Sequence, residues 1–160
     1  VQVGIFAIGR MKKGAESDLI ERYCERFSRC AISHGLTFSG VHEFVESRAS
    51  SAALRQAEEA EKITAALTSD GYFIALDERG KTMASPEFAA LIERQKDSGT
   101  RQLMFAIGGP DGHNELIRQR ADQLLSFGRM TWPHQIVRIL LAEQLYRATM
   151  ILSGHPYHRA

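Results

Sequence analysis

The run Leu103-Met-Phe-Ala-Ile107, followed at once by Gly108-Gly-Pro-Asp-Gly112, limits this chain more than any other stretch. Five consecutive apolar residues leave no polar face. A strand here must be covered on both sides, as in a parallel sheet flanked by helices. The glycines and proline end it abruptly. Apolar positions 116, 117, 121, 124 and 125 then suit an amphipathic helix over 114–125. Strand, glycine loop and helix in that order set backbone N–H groups at the carboxyl edge of a sheet, where open α/β folds bind ligands. Gly108 and Gly109 carry no Cβ, so a flat ligand is expected to lie against the backbone there; a tight turn without a ligand is the alternative.

The same alternation runs through the whole chain. Residues 1–9 read as a first strand, and without a basic stretch or a small-residue cleavage site they are not expected to be a signal peptide. Gly9-Arg-Met-Lys-Lys-Gly14 matches half of a phosphate-binding P-loop, but Ala15-Glu16 stands where Lys-Ser/Thr belongs, which argues against triphosphate binding. A helix over 16–31 carries Leu19, Ile20, Tyr23, Cys24, Phe27 and Ala31 on one face. A strand over 36–45 and a polar link over 47–51 follow. Residues 52–67 form an alanine- and glutamate-rich helix with Leu54, Ala57, Ile63 and Leu67 inward. Residues 71–76 are the third strand, with a polar loop over 77–81. Ser85 reads as an N-cap and Pro86 as the first residue of a helix that buries Phe88, Ala89, Leu91 and Ile92. After the glycine loop and its helix, residues 129–132 are a short strand candidate. Pro133-His134 opens a last helix that reaches about residue 152 and stops at Gly154. Five strand–helix alternations imply an α/β fold, a largely parallel sheet flanked by helices, in one domain over 1–160.

Charge and cysteine usage narrow the function. Lys and Arg number 20 against 19 Asp and Glu, a net charge of +1. A protein that coats nucleic acid is usually far more basic, so a nucleic-acid role here needs a local patch or a shaped target. No apolar run nears the roughly 18 residues of a membrane span. Cys24 and Cys30 lie six apart on one predicted helix, about 9 Å of rise, too far for one disulfide. They read as reduced core residues in a cytosolic setting, and no Cys-x-x-Cys partner makes them a metal site.

The last helix is apolar over most of its circumference, so it is expected to be buried on two sides, the second by another subunit. Its charges are Arg138, Glu143 and Arg147. Glu143 and Arg147, four apart, suit an ion pair. Two readings stand side by side: a salt bridge at a dimer interface, or Arg138 or Arg147 facing an RNA phosphate. The tail His155-Pro-Tyr-His-Arg159 carries groups that bind anions or move protons. His155 and His158 lack a third ligand, so no metal is expected. A hydrolase using the glycine loop as an anion nest would need a nucleophile, and neither Gly-x-Ser-x-Gly nor a neighbouring cysteine is present.

Four motifs then converge: Ile107-Gly-Gly-Pro-Asp-Gly112; Leu125-Ser-Phe-Gly-Arg-Met-Thr-Trp-Pro-His134; Arg138 with Glu143-Gln-Leu-Tyr-Arg-Ala148; and His155-Pro-Tyr-His-Arg159. In this order and spacing the chain resembles the small SPOUT-superfamily methyltransferases of the large ribosomal subunit, which methylate N3 of a pseudouridine in 23S rRNA. Ala7-Ile-Gly9 and Leu76-Asp-Glu-Arg-Gly-Lys81 match as well; residues 36–69 match least, and nothing is carried over onto them. Asp111 and the short 46–51 link are mild departures. The resemblance implies a cytoplasmic, S-adenosylmethionine-dependent homodimer acting on a ribosome, with its carboxyl-terminal part threaded into a trefoil knot. It assigns cofactor contacts to Leu76, Gly108, Phe127, Gly128, Arg129, Met130, Thr131 and Trp132. It implies a catalytic group of Tyr157, His158 and Arg159 from the tail with Glu143 and Arg147. The N3–H of the target is a weak acid, so His158 is a candidate proton acceptor. Arg159 would stabilise the anion or hold a phosphate, and water is the alternative base. The rival from another class is a non-catalytic ribosome-binding factor that kept the fold.

Overall fold

Strands Gln2–Ile8 (β1), Thr37–Phe44 (β2), Gly71–Lys81 (β3), Gln102–Ile107 (β4) and Gln123–Leu125 (β5) form one sheet of order β2-β1-β4-β3-β5 in the computed structural model, which describes residues 1–159. Every pairing in it is parallel. β4 is central, and Leu103 to Ile107 are at most 3% exposed, as an uninterrupted apolar run requires. The helices are Ala15–Ala31 (α1), Ala52–Ala66 (α2), Ser85–Asp97 (α3), Glu115–Arg120 (α4) and His134–Leu152 (α5).

Alternate residues of each strand feed opposite faces, so the core is two clusters. On one face Val3, Ile5, Ile74, Leu103 and Phe105 pack under α1, α3 and α5 through Phe27, Phe88 and Leu141. On the other, Phe6, Ile8, Phe73 and Met104 pack under α2 and α4 through Ile63 and Ile117.

Several local expectations give way to this arrangement. The helix expected over 114–125 is only the six residues of α4; Asn114 caps it, its Oδ1 accepting from Ile117 N at 3.1 Å. The chain is extended at Ala121, and Asp122 clips it to β3: its N donates to Phe73 O at 2.8 Å, and its carboxylate accepts from Phe73 N at 2.7 Å. Leu124 and Leu125 therefore reach the core from a strand. The polar loop expected over 77–81 instead continues β3, because Ser126 N donates to Lys81 O at 3.0 Å and Lys81 pairs with Leu125. Residues 129–132 are not a strand; they follow a turn at Gly128 with φ of 120°. The N-cap of α3 is Ala84 rather than Ser85, and the Glu87 carboxylate accepts from Ala84 N at 2.6 Å. The Ser85 hydroxyl instead donates to Gln144 of α5 at 2.7 Å. Leu54, expected inward, is 54% exposed, since the buried stripe of α2 is Glu59, Ala60 and Ile63. Cys24 and Cys30 are free and only partly buried, and burial, with Glu21 nearby, pushes the Cys24 thiol up to about 11. No helix of the described residues is long and apolar enough to cross a membrane.

Candidate cofactor cleft and tail cluster

The carboxyl ends of β3, β4 and β5 open into a cleft of about 290 Å³. Three separate segments supply its walls: Leu76, where the pairing of β3 with β4 stops, Gly108 after β4, and Phe127, Gly128, Met130, Thr131 and Trp132 on the loop before α5. Of the eight residues assigned to the cofactor, Arg129 alone does not line it and is exposed. The loop is shaped locally by Ser126, whose hydroxyl donates to Gly128 O at 2.9 Å and accepts from Gly128 N at 3.2 Å. A Cβ on Gly128 would meet nothing within 4 Å, so the glycine there answers to its positive φ and leaves open space in the cleft.

Gly108 and Gly109 both line the cleft, and both also lie close against their own chain. A Cβ on Gly108 would lie 3.0 Å from the Gly112 carbonyl carbon and 3.3 Å from His113 N, and one on Gly109 would lie 3.0 Å from Ile8 Cγ2. Both positions are tight: at Gly108 the neighbour is backbone, and at Gly109 it is a methyl group of the Ile8 side chain. Asp111 anchors the loop to α2: its carboxylate accepts from Arg55 Nε at 2.7 Å and Nη2 at 3.1 Å, and Gln56 Nε2 donates to Asp111 O at 2.7 Å. The Arg55 hydrogen bond holds the Asp111 carboxyl below its ordinary range.

Four further groups line the cleft that sequence reasoning passed over. Asp77 is buried, and its Oδ2 accepts from Arg118 Nε at 2.8 Å. Arg118 also donates from Nη2 to His113 O at 2.7 Å, tying β3, the glycine loop and α4 together. His113 is buried with Nε2 3.2 Å from Ala106 O, and burial pushes its imidazole pKa down. Glu78, the next residue along β3, is exposed. Asp77 and Glu78 follow Leu76 directly, the one signal the sequence offered; His113, beyond the glycine loop, and Arg118, on α4, carried none.

The tail residues gather elsewhere in the chain. Arg147 donates from Nε and Nη2 to Glu143 Oε1 at 2.9 and 2.6 Å, the expected i, i+4 pair. The Tyr157 hydroxyl donates to the same oxygen at 2.9 Å. The Tyr157 ring lies under Arg147 at 4.8 Å and edge-on to Tyr146 at 4.9 Å. Burial, then the Glu143 hydrogen bond, push the Tyr157 phenol up. His158 Nδ1 is 3.3 Å from Arg147 Nη1. A guanidinium only donates, so Nδ1 is the acceptor and Nε2 carries the proton in this arrangement. Arg159 is exposed. Glu143, Arg147, Tyr157 and His158 are thus one cluster, and neither they nor Arg159 line the cleft of their own chain.

Arg138 does not face an RNA phosphate. It is 2% exposed, and its guanidinium donates to Glu43 at 2.7 Å, Ile8 O at 3.0 Å and Gly9 O at 2.7 Å. It secures α5 to the carboxyl ends of β1 and β2.

Sequence comparison adds to this geometry. Residues 1–158 match the family profile described as "Predicted SPOUT methyltransferase". Proteins of Brucella anthropi and Brucella abortus (strain S19), each named ribosomal RNA large subunit methyltransferase H, are 56% and 55% identical over alignments that cover both chains in full. Among solved structures, a probable methyltransferase of Bordetella pertussis matches with a TM-score of 0.53 at 14% identity, over 92% of this chain and 95% of that one, which shows a shared fold. A putative methyltransferase of Legionella pneumophila, solved with bound SAM, matches with a TM-score of 0.50 at 10% identity, over 91% of this chain and 66% of that one. The chain belongs to the SPOUT methyltransferase family.

Proposed function

We propose that this chain is an S-adenosylmethionine-dependent methyltransferase that modifies N3 of a pseudouridine in 23S rRNA, as a cytoplasmic homodimer with no metal, over one domain spanning 1–160. The observation that carries the reading is the convergence of Leu76, Gly108 and the 127–132 loop on one cleft at the ends of three parallel strands. Relatives more than half identical over their full length bear the name of an rRNA large subunit methyltransferase, which does not favour the non-catalytic alternative. The cleft suits the cofactor: Gly128 leaves open space on one wall, Leu76 and Phe127 offer apolar surface, and Asp77 and Ser126 add polar groups beside it.

When bound, the cofactor supplies a methyl group already activated by its sulfonium. The remaining work for the protein is to place the uracil-like ring and accept the N3 proton. In this reading Glu143 and Arg147 hold Tyr157 and thereby aim the tail. His158 takes the N3 proton once its ring leaves Arg147 and frees Nδ1. Arg159, being exposed and cationic, receives a phosphate or the developing anion. No residue of the 155–159 tail lines the cleft of its own chain, which supports a composite site completed by the tail of a partner. A partner is further supported by Ile136 and Ile139 of α5, which remain partly exposed.

The knot belongs to the same reading. What supports it is the passage of residues 124–125 against β3: both Leu76 and Lys81 pair with Leu125, and a Cβ on Gly80 would lie 2.6 Å from the Leu124 carbonyl carbon. The test of function is mass spectrometry of 23S rRNA from cells with and without the gene. Loss of one N3-methylated pseudouridine, restored by the wild-type chain, is expected; an unchanged modification pattern would defeat the reading.

A further inference from the structure

We propose that Glu78 makes the cleft prefer the methyl donor to its demethylated product, by setting a negative charge beside the cofactor that only the donor answers. The proposal rests on the reading of the cleft as the cofactor site.

The charged and titratable groups lining the cleft are Asp77, Glu78, Asp111, His113, Arg118 and His134. Most are already neutralised. Asp77 is paired with Arg118 at 2.8 Å, and Asp111 with Arg55 at 2.7 Å. His113 and His134 both have their imidazole pKa pushed down by burial, so each tends to the neutral form. Among the described residues Glu78 makes no ion pair and no side-chain hydrogen bond, whereas its neighbour Asp77 is held by Arg118, and Arg79, on the other side, does not line the cleft. The cleft therefore presents about one uncompensated negative charge, located at Glu78.

The donor and the product differ in charge where this matters. Each carries an ammonium and a carboxylate on its amino-acid end, which cancel. The donor adds a sulfonium; the product is a neutral thioether. An anion on the cleft wall attracts the first and leaves the second nearly unaffected. The carboxylate is exposed, so water and salt weaken the attraction without abolishing it. Product inhibition is the ordinary hazard of a site shaped for an adenosyl group, and a charge preference relieves it at no cost in shape.

The test is titration calorimetry of the full-length protein with three ligands. These are S-adenosylmethionine, S-adenosylhomocysteine, and an analogue with an ammonium in place of the sulfonium. Glu78→Gln should weaken the two cationic ligands by about 3- to 10-fold and change the neutral product less than about 2-fold. Glu78→Asp, which keeps the charge, should retain most of the preference, and added salt should shrink it in the wild type but not in Glu78→Gln. Equal weakening of all three ligands would overturn the proposal in favour of a hydrogen bond to a group they share, such as the ribose. Unchanged affinities in Glu78→Gln would overturn it outright. Failure of the unmodified protein to bind any of the three would instead defeat the reading of the cleft itself.

Discussion

Arg118 Nε meets Asp77 Oδ2 at 2.8 Å, and this contact joins the end of β3 to the helix that follows the glycine loop. Arg118 lies outside the motifs that mark the family, and Asp77 lies within the Leu76–Lys81 stretch that matches it; the pair stands in the wall of the cleft. The Asp77 side chain is 4% exposed and that of Arg118 18%. Arg118→Met would leave a buried carboxylate without its cation. It should cost about 3–5 kcal/mol in urea unfolding, the range for breaking a buried pair from one side. Arg118→Lys should recover part of that loss, because an ammonium meets Asp77 but cannot also reach His113 O in the same fork geometry. Equal stability of Arg118→Met and the wild type would show the pair to be dispensable.

Glu59 sets the sign of a pH effect. It is 3% exposed, its Oε2 accepts from Ser47 N at 3.2 Å, and its Oε1 has no partner. Burial pushes its carboxyl pKa up in the folded chain. A folded-state pKa above the unfolded value means that the native state holds the proton more tightly. The group therefore penalises folding as pH rises above the ordinary carboxylate range, about pH 4, and not below it. Glu59→Gln keeps an acceptor for Ser47 and removes the charge. It should raise the thermal midpoint near neutral pH and match the wild type near pH 4. A gain of the same size at both pH values would point to packing instead.

The dimer predicted through α5 is best tested where the helix is not already core. Leu141 is fully buried within its own chain, so a charge there would unfold the subunit. Ile139 is partly exposed and is absent from both core clusters. Light scattering should find the unmodified protein dimeric at micromolar concentration and Ile139→Arg monomeric, with circular dichroism unchanged. A monomeric wild type would remove the composite site.

The tail prediction follows from its absence from the lining of its own chain's cleft. His158→Ala with Arg159→Ala should leave dimerisation and cofactor binding nearly intact while methyl transfer to ribosomes falls at least about 100-fold, as expected for a lost proton acceptor. Complementation separates a tail acting in trans from one acting in cis. The second chain must be blocked in its cleft alone. Gly108→Val is unsuited, since a Cβ there meets Gly112 at 3.0 Å. Thr131, exposed on the cleft wall, accepts Thr131→Trp without disturbing the core. Mixed dimers of the two variants should regain part of the activity if the tail crosses to the partner. They should stay inactive if it does not.

The order of elements was legible in the sequence, and so was the cleft. An uninterrupted apolar strand such as 103–107 has one way to be satisfied, and five strand–helix alternations leave a parallel sheet as the natural solution. The i, i+4 spacing of Glu143 and Arg147 already contained their ion pair. Tertiary structure decided the rest, because there the local signals were degenerate. Apolar residues at 121, 124 and 125 fit a helix face as well as a strand; Asp122 gripping both polar groups of the Phe73 backbone chose the strand. Residues 77–81 are polar enough for a loop, and only the arrival of Leu125 and Ser126, distant in sequence, made them β3. By its charge Arg138 suited a structural ion pair or a phosphate contact equally, and Glu43 with the carbonyls of Ile8 and Gly9, all distant in sequence, claimed it. Periodicity reports which side of a residue is apolar. It carries no information about which distant backbone group will reach that residue first, and hydrogen bonds between segments far apart in sequence made each of these choices.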